Sequence, residues 1–114
     1  MLRNFKVSCM DIRDAAQSIG EYIDGLEFTG FRTSKLHHDA VIRQFMVLGE
    51  AANRIPKDVR AQHPEVDWSK IIGMRHRLVH GYDKISLQTV WHTAVNFAPK
   101  VLQQFEKILH DMGV

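Results

Sequence analysis

This 114-residue sequence contains one cysteine, Cys9, and three prolines, and it has no long apolar run. Its longest strongly apolar stretch, residues 45–48, is far shorter than the roughly 20 residues of a membrane helix. A single cysteine cannot form an internal disulfide, which favours a reducing compartment. Residues 1–6 lack the apolar core of a signal peptide. We therefore expect a cytoplasmic protein without a membrane span.

The sequence also lacks a strong excess of charge. Fifteen lysines and arginines face thirteen acidic residues, which gives a formal net charge of +2. This balance permits nucleic acid as a partner without requiring it, because dedicated binding domains usually carry a larger basic surplus. The hydrophobic fraction of 45% is typical of a folded globular protein. The length suits a single domain over residues 1–114.

Apolar residues recur at alternating steps of three and four, the spacing that lines one face of an α-helix. The pattern predicts helices over residues 7–26, from a cap at Thr33 or Ser34 to Pro56, from an Asp67 cap to His80, and over about 25 residues after Ser86.

Three further local features are predicted. Residues 56–67 should contain a short turn of helix, Gly81 should adopt the left-handed conformation after a helix end, and Pro99 should kink the last helix.

No segment shows the period-two alternation of a strand. The sequence thus predicts an all-α antiparallel bundle of four main helices plus a short connecting helix. In so small a bundle, long helices leave much of their apolar surface exposed to solvent in a monomer. A homodimer, which would cover that surface, is therefore favoured.

The densest group of chemically capable side chains lies in residues 74–83, where Arg75, His76, Arg77 and His80 precede Tyr82. A purely structural interpretation exists, because cations near a helix C-terminus gain about 0.3–1 kcal/mol from the helix dipole. The functional interpretation is that Arg binds phosphate oxygens while His moves a proton near neutral pH. Together they are suited to cleaving a phosphodiester without a metal.

The spacing of these residues raises a geometric question. Arg75 and His80 would point about 140° apart on an ideal helix. Either the helix ends before His80, or a second subunit completes the site. His76 and His80 could instead be two metal ligands, but the glutamate and third ligand of a zinc-protease motif are missing. We expect no metal and no cofactor.

A second candidate position is Glu50, which follows Gly49 inside a predicted helix. Glycine costs about 1 kcal/mol there relative to alanine, so it can mark a close helix crossing. The Glu50 carboxylate is then expected to form a structural ion pair with Arg75 or Arg77.

The run from Arg75 to Tyr82 reads R-x-x-x-x-H-x-Y, and with it the sequence resembles the HepT-like branch of the HEPN ribonucleases. Residues 39–44, 48–52, 68–75 and 90–91 look like other blocks of that family, in the same order and spacing. The resemblance covers roughly residues 8–110. Four ordered blocks in so short a chain are specific.

The resemblance implies a helical homodimer that acts as the toxin of a toxin–antitoxin pair. The toxin would be a metal-independent endoribonuclease with its Arg-His site at the dimer interface, neutralised by a nucleotidyltransferase antitoxin of the MntA type. The family's catalytic residues map onto Arg75 and His80, and its adenylylated tyrosine onto Tyr82. His76 stands where relatives often carry Asn or Asp. The alternative is a non-catalytic helical dimer that binds and regulates a nucleotidyltransferase.

Overall fold

The computed structural model describes the backbone of residues 2–114 and the side chains of residues 5–81 and 83–114. This part of the chain is all-α, as predicted, and contains no strand. Its elements are α1 (Leu2–Ile23), α2 (Phe28–Thr33), α3 (Lys35–Arg54), α4 (Lys57–Ala61), α5 (Trp68–His80), a 3-10 turn (Tyr82–Lys84), α6 (Leu87–Asn96) and α7 (Ala98–Asp111).

The core lies around α1, which packs against α3 on one side and α7 on the other. Ile12, Phe45 and Phe105 bring large, fully buried side chains from these three helices. Each such side chain contributes about 1.5–3 kcal/mol by leaving water. Helix α5 is added to this core mainly through its contact with α3.

Three predicted helix starts are confirmed by their caps. The side chains of Ser34, Asp67 and Ser86 each accept the backbone N–H of the residue three positions later, at 3.0–3.3 Å. These bonds satisfy amides that have no partner inside the helix. The predicted turn of helix after Pro56 is also confirmed, as α4.

The first helix differs from its predicted bounds of residues 7–26. It runs from Leu2 to Ile23, because buried Phe5 extends the apolar stripe towards the N-terminus. It ends before Gly25, whose φ of 76° lies in the left-handed region that glycine adopts without steric cost. The next segment, predicted only as a break, forms α2, and its buried Phe31 packs against Trp91 with ring centroids 5.1 Å apart.

The predicted single last helix is wrong, because the chain breaks at Phe97 into α6 and α7. Pro99 has no N–H for the carbonyl of Val95, and its ring crowds that position. Proline is tolerated in the first turn of a helix, and Pro99 occupies the first turn of α7. The expected kink is therefore a full interruption.

Among the described residues, no helix is both long and apolar enough to cross a membrane.

Candidate active site on helix α5

Helix α5 carries the motif residues, and its buried face fixes their orientation. Ile71, Met74 and Leu78 are buried at three-four spacing. They hold one side of α5 on α3, which is its main helical neighbour. The opposite side, which includes His76 and His80, faces solvent in the single chain.

Gly49 of α3 and Arg75 of α5 meet where the two helices cross. A β-carbon at position 49 would lie 2.2 Å from the Arg75 Cβ and 3.0 Å from the Ile71 carbonyl oxygen. No other residue fits without moving a helix, so the predicted close crossing is confirmed. The contact also puts the first carbon of the Arg75 side chain at the α3 edge of α5, where the residue is half-buried.

Helix α5 continues through His80, as the sequence predicts. Of the two alternatives for the site, a helix that ends before His80 is therefore excluded. The left-handed conformation predicted for Gly81 is also wrong, since its φ is −142° and its ψ 33°. Its N–H instead donates to the Arg77 carbonyl at 2.8 Å. A β-carbon there would lie 3.2 Å from that same oxygen. Glycine thus permits a tight exit into the 3-10 turn.

His76 and His80 form a pair on the outer face of α5. Their ring centroids are 4.6 Å apart and both side chains are exposed. On an ideal helix, His76 points about 40° from His80 and about 100° from Arg75. Since α5 stays helical, Arg75 and His80 remain about 140° apart on one chain. His76 occupies the sector between them.

Arg77 lies on the other edge of α5, where its guanidinium donates to the Met74 sulfur at 3.6 Å. Glu50 is exposed and pairs with Arg54 one turn later, with Nη1 and Oε1 3.9 Å apart. The predicted ion pair of Glu50 with Arg75 or Arg77 is therefore wrong. Gly49 faces α5, and the next residue along α3 already points away from that crossing.

Other groups in the described part of the chain offer little further chemistry. No cluster of three or more His, Cys, Asp or Glu side chains there could hold a metal ion. Cys9 is fully buried, and desolvation raises the pKa of its thiol from 9.0 to about 12. It remains a neutral core residue at physiological pH.

Comparison with known families decides how this geometry is interpreted. The family described as "Ribonuclease HepT-like" matches residues 12–108, which include all of α5 and the turn after it. This chain belongs to the HepT-like ribonuclease family. The resemblance inferred from the sequence blocks is thereby confirmed.

Relatives of this HepT-like chain match it over nearly its whole length. "Putative RNase MJ1216" of Methanocaldococcus jannaschii is 34% identical over 96% of this chain and 91% of the relative. "Putative RNase MJ0125" of the same organism is 34% identical over 96% and 95%. "Probable ribonuclease HepT" of Thermococcus cleftensis is 33% identical over 95% and 98%. No solved structure matches the chain significantly.

Tyr82, the candidate modification site of this HepT-like chain, opens the 3-10 turn directly after Gly81. Its side chain lies outside the described residues. The assignment of Tyr82 as a modified residue therefore stays a prediction.

Proposed function

We propose that this chain is a metal-independent endoribonuclease, the toxin of a toxin–antitoxin pair. The observation that carries the proposal is the exposed His76–His80 pair, with Arg75 on the adjoining sector of the same helix. Membership of a ribonuclease family supports RNA as the substrate. Imidazole and guanidinium groups supply proton transfer and phosphate binding without a metal.

The proposed reaction uses the RNA's own 2′-hydroxyl. A neutral imidazole accepts the 2′-hydroxyl proton as the oxygen attacks the adjacent phosphorus. The bond from phosphorus to the 5′ oxygen breaks, and a protonated imidazole gives that oxygen its proton. The products are a 2′,3′-cyclic phosphate and a free 5′-hydroxyl, with no net change in protons.

Each residue has a distinct proposed role in this reaction. His80 transfers protons, which typically contributes about 10²–10⁴ in rate. Arg75 binds the phosphate and stabilises the charge that develops on it, an effect of about 3–4 kcal/mol for one donor. His76, in the sector between them, orients the phosphate or assists proton transfer.

The proposed active unit is a homodimer. One α5 directs Arg75 and His80 about 140° apart, so the two residues of a single chain converge poorly on one phosphate. Val79 on the same outer face is 41% exposed to solvent. A second α5 packed against this face would cover that apolar surface and bring a second Arg-His set to the site.

Control by a partner is proposed through Tyr82, two residues beyond His80. A nucleotidyltransferase antitoxin would transfer AMP from ATP to the Tyr82 hydroxyl. The resulting phosphodiester would carry a negative charge close to the cations of α5. It would inhibit by occupying the phosphate site and by blocking RNA sterically.

Expression of the chain alone, followed by sequencing of RNA ends, tests the proposed function. Wild type should arrest growth and generate new 5′-hydroxyl ends at defined positions, whereas Arg75→Ala and His80→Ala should do neither. Normal growth with unchanged RNA ends would contradict the proposal. It would favour the non-catalytic dimer that regulates a nucleotidyltransferase.

A further inference from the structure

A groove follows the seam between α5 and α6, on the edge of α5 opposite Arg75. Helix α5 packs mainly on α3, while α6 packs on α7, α1 and α2, so the facing sides of α5 and α6 remain apart. Two successive depressions of about 330 and 240 Å³ occupy this seam. We call them together the α5–α6 groove.

The two depressions follow one another along both helices. Arg77 lines the first and Lys70 the second. These residues are two turns apart on α5 and point within about 20° of each other. On α6, Thr89 lines the first depression and Thr93 the second, one turn apart, with the Thr93 hydroxyl donating to the Thr89 carbonyl at 2.8 Å.

The groove is strongly cationic. Arg77 and Lys84 line its first depression, and Lys70 and Lys100 its second. All four are exposed, and no carboxylate lines either depression. Among the described residues, none of these four side chains has a carboxylate within ion-pair distance, in contrast to Lys107, which pairs with Asp111 at 3.4 Å.

One of these cations is held in place by an aromatic ring. The Lys70 ammonium lies 4.5 Å from the centroid of Phe97, the residue that separates α6 from α7. A cation over a ring face gains about 0.5–1 kcal/mol at an exposed site, which favours this position. Beyond it, Glu65 and Asp67 line a neighbouring depression with Lys70 and Lys100, so negative charge bounds the groove at that end.

The groove passes close to the candidate catalytic face. Arg77 precedes His80 by three residues and points about 60° from it around α5. Gly81, the next residue after His80, also lines the groove. A strand that leaves His80 therefore meets Arg77 and Lys84 first and Lys70 and Lys100 farther along α5.

We propose that the α5–α6 groove binds the phosphates of the single-stranded RNA that flanks the cleaved bond. This proposal rests on the proposed ribonuclease function and adds a binding site separate from Arg75 and His80. Cations spread over about 10 Å of helix, with two at each depression, suit a polyanion that presents successive phosphates. The Asn96 amide that lines its second depression can donate a further hydrogen bond to a phosphate oxygen.

The first test measures binding of a fully 2′-O-methylated RNA oligonucleotide by fluorescence anisotropy. This probe has no free 2′-hydroxyl, so wild type cannot cleave it by the proposed reaction. Lys70→Ala/Lys100→Ala should bind about five- to tenfold more weakly at low salt. The slope of log affinity against log salt should fall by about 1.4, since each lost phosphate contact on a single strand removes about 0.7.

The matched control is Lys57→Ala/Lys107→Ala, which removes the same charge from exposed positions outside the groove. It should change RNA affinity less than twofold. Equal weakening of RNA binding in both double variants would contradict the proposed role of the groove, because net charge alone would then explain the binding. Unchanged RNA binding by Lys70→Ala/Lys100→Ala, with binding to phosphatidylserine vesicles lost, would assign the groove to a lipid surface instead.

The second test separates the groove from catalysis. Lys70→Ala/Lys100→Ala should raise the KM for a long RNA about five- to tenfold while its kcat stays near that of wild type. Cleavage of a dinucleotide, which is too short to reach Lys70, should not change. If wild type cleaves no RNA, the ribonuclease proposal fails, and the anisotropy result still decides whether the groove binds RNA. If wild type cleaves RNA but the double variant has an unchanged KM, only the proposal that the groove binds RNA is contradicted.

Discussion

The backbone of Gly49 lies so close to Arg75 that a β-carbon at position 49 would be 2.2 Å from the Arg75 Cβ. This contact joins α3 to α5 at the residue proposed to bind the substrate phosphate. Because the clash would involve the root of the arginine side chain and the Ile71 carbonyl, rotation of a side chain cannot relieve it. The position of Arg75 therefore depends on a glycine in the neighbouring helix.

We expect Gly49→Ala to destabilise the protein by about 1–3 kcal/mol, the usual cost of overfilling a packed site. Denaturant unfolding followed by circular dichroism measures this. Gly20→Ala is the matched control, because Gly20 is an exposed helical glycine with nothing within 4 Å of its added β-carbon. Its greater helix propensity should stabilise α1 by up to about 1 kcal/mol. Equal effects of the two substitutions would show that the crossing tolerates a β-carbon.

The proposed dimeric site predicts interference between active and inactive chains. An excess of the Arg75→Ala/His80→Ala double variant, mixed with wild type until subunits exchange, should lower activity more than simple dilution does. The reason is that most wild-type chains would then face a partner without a functional Arg-His set. Exchange is followed by native mass spectrometry with one chain isotopically labelled. Activity proportional to the amount of wild-type chain alone would indicate a site contained within one monomer.

Tyr82→Phe should remain an active ribonuclease but escape its antitoxin. The hydroxyl has no proton-transfer role in the proposed reaction, yet it is the proposed acceptor of AMP. Intact-mass measurement after incubation with the nucleotidyltransferase and ATP should show an adenylyl adduct on wild type and none on Tyr82→Phe. Tyr22→Phe, which alters a tyrosine on α1, is the control and should be modified like wild type. No adduct on wild type, or an equal adduct on Tyr82→Phe, would exclude Tyr82 as the acceptor.

Burial of Cys9 predicts a pH dependence of stability. Its pKa is raised from 9.0 to about 12 by desolvation, so between these values the unfolded chain releases a proton that the folded chain retains. The free energy of unfolding should fall as pH rises through this window, by up to about 1.4 kcal/mol per pH unit from this group. Cys9→Ala should lose this component. Parallel stability curves for the two proteins above pH 9 would contradict it.

The helix starts were predictable because they depend on local chemistry. Ser34, Asp67 and Ser86 each satisfy a nearby amide, and apolar periodicity marked the buried face of α5. The errors came from the way helices meet. The break at Phe97 and the outward direction of Glu50 depend on neighbouring elements that a single stretch of sequence does not reveal.

The candidate site likewise contains residues that the local sequence identifies and residues that only the fold brings together. Arg75, His76 and His80 could be selected from residue type and spacing, and their common helix was predicted. Of the cations of the α5–α6 groove, Arg77 was among the candidates but Lys70 and Lys100 were not. These two lysines lie 30 residues apart in the sequence and come together only where α5 runs beside the break between α6 and α7. No short motif contains them.

The most direct test of the central claim is cleavage of RNA by the purified chain in the presence of excess EDTA. Wild type should cleave and leave 2′,3′-cyclic phosphate ends, His80→Ala should lose about 10²–10⁴ in rate, and His110→Ala, an exposed histidine on α7, should retain full activity. No cleavage with EDTA but full cleavage after addition of zinc or manganese would contradict the metal-independent mechanism, and full activity of His80→Ala would contradict the site.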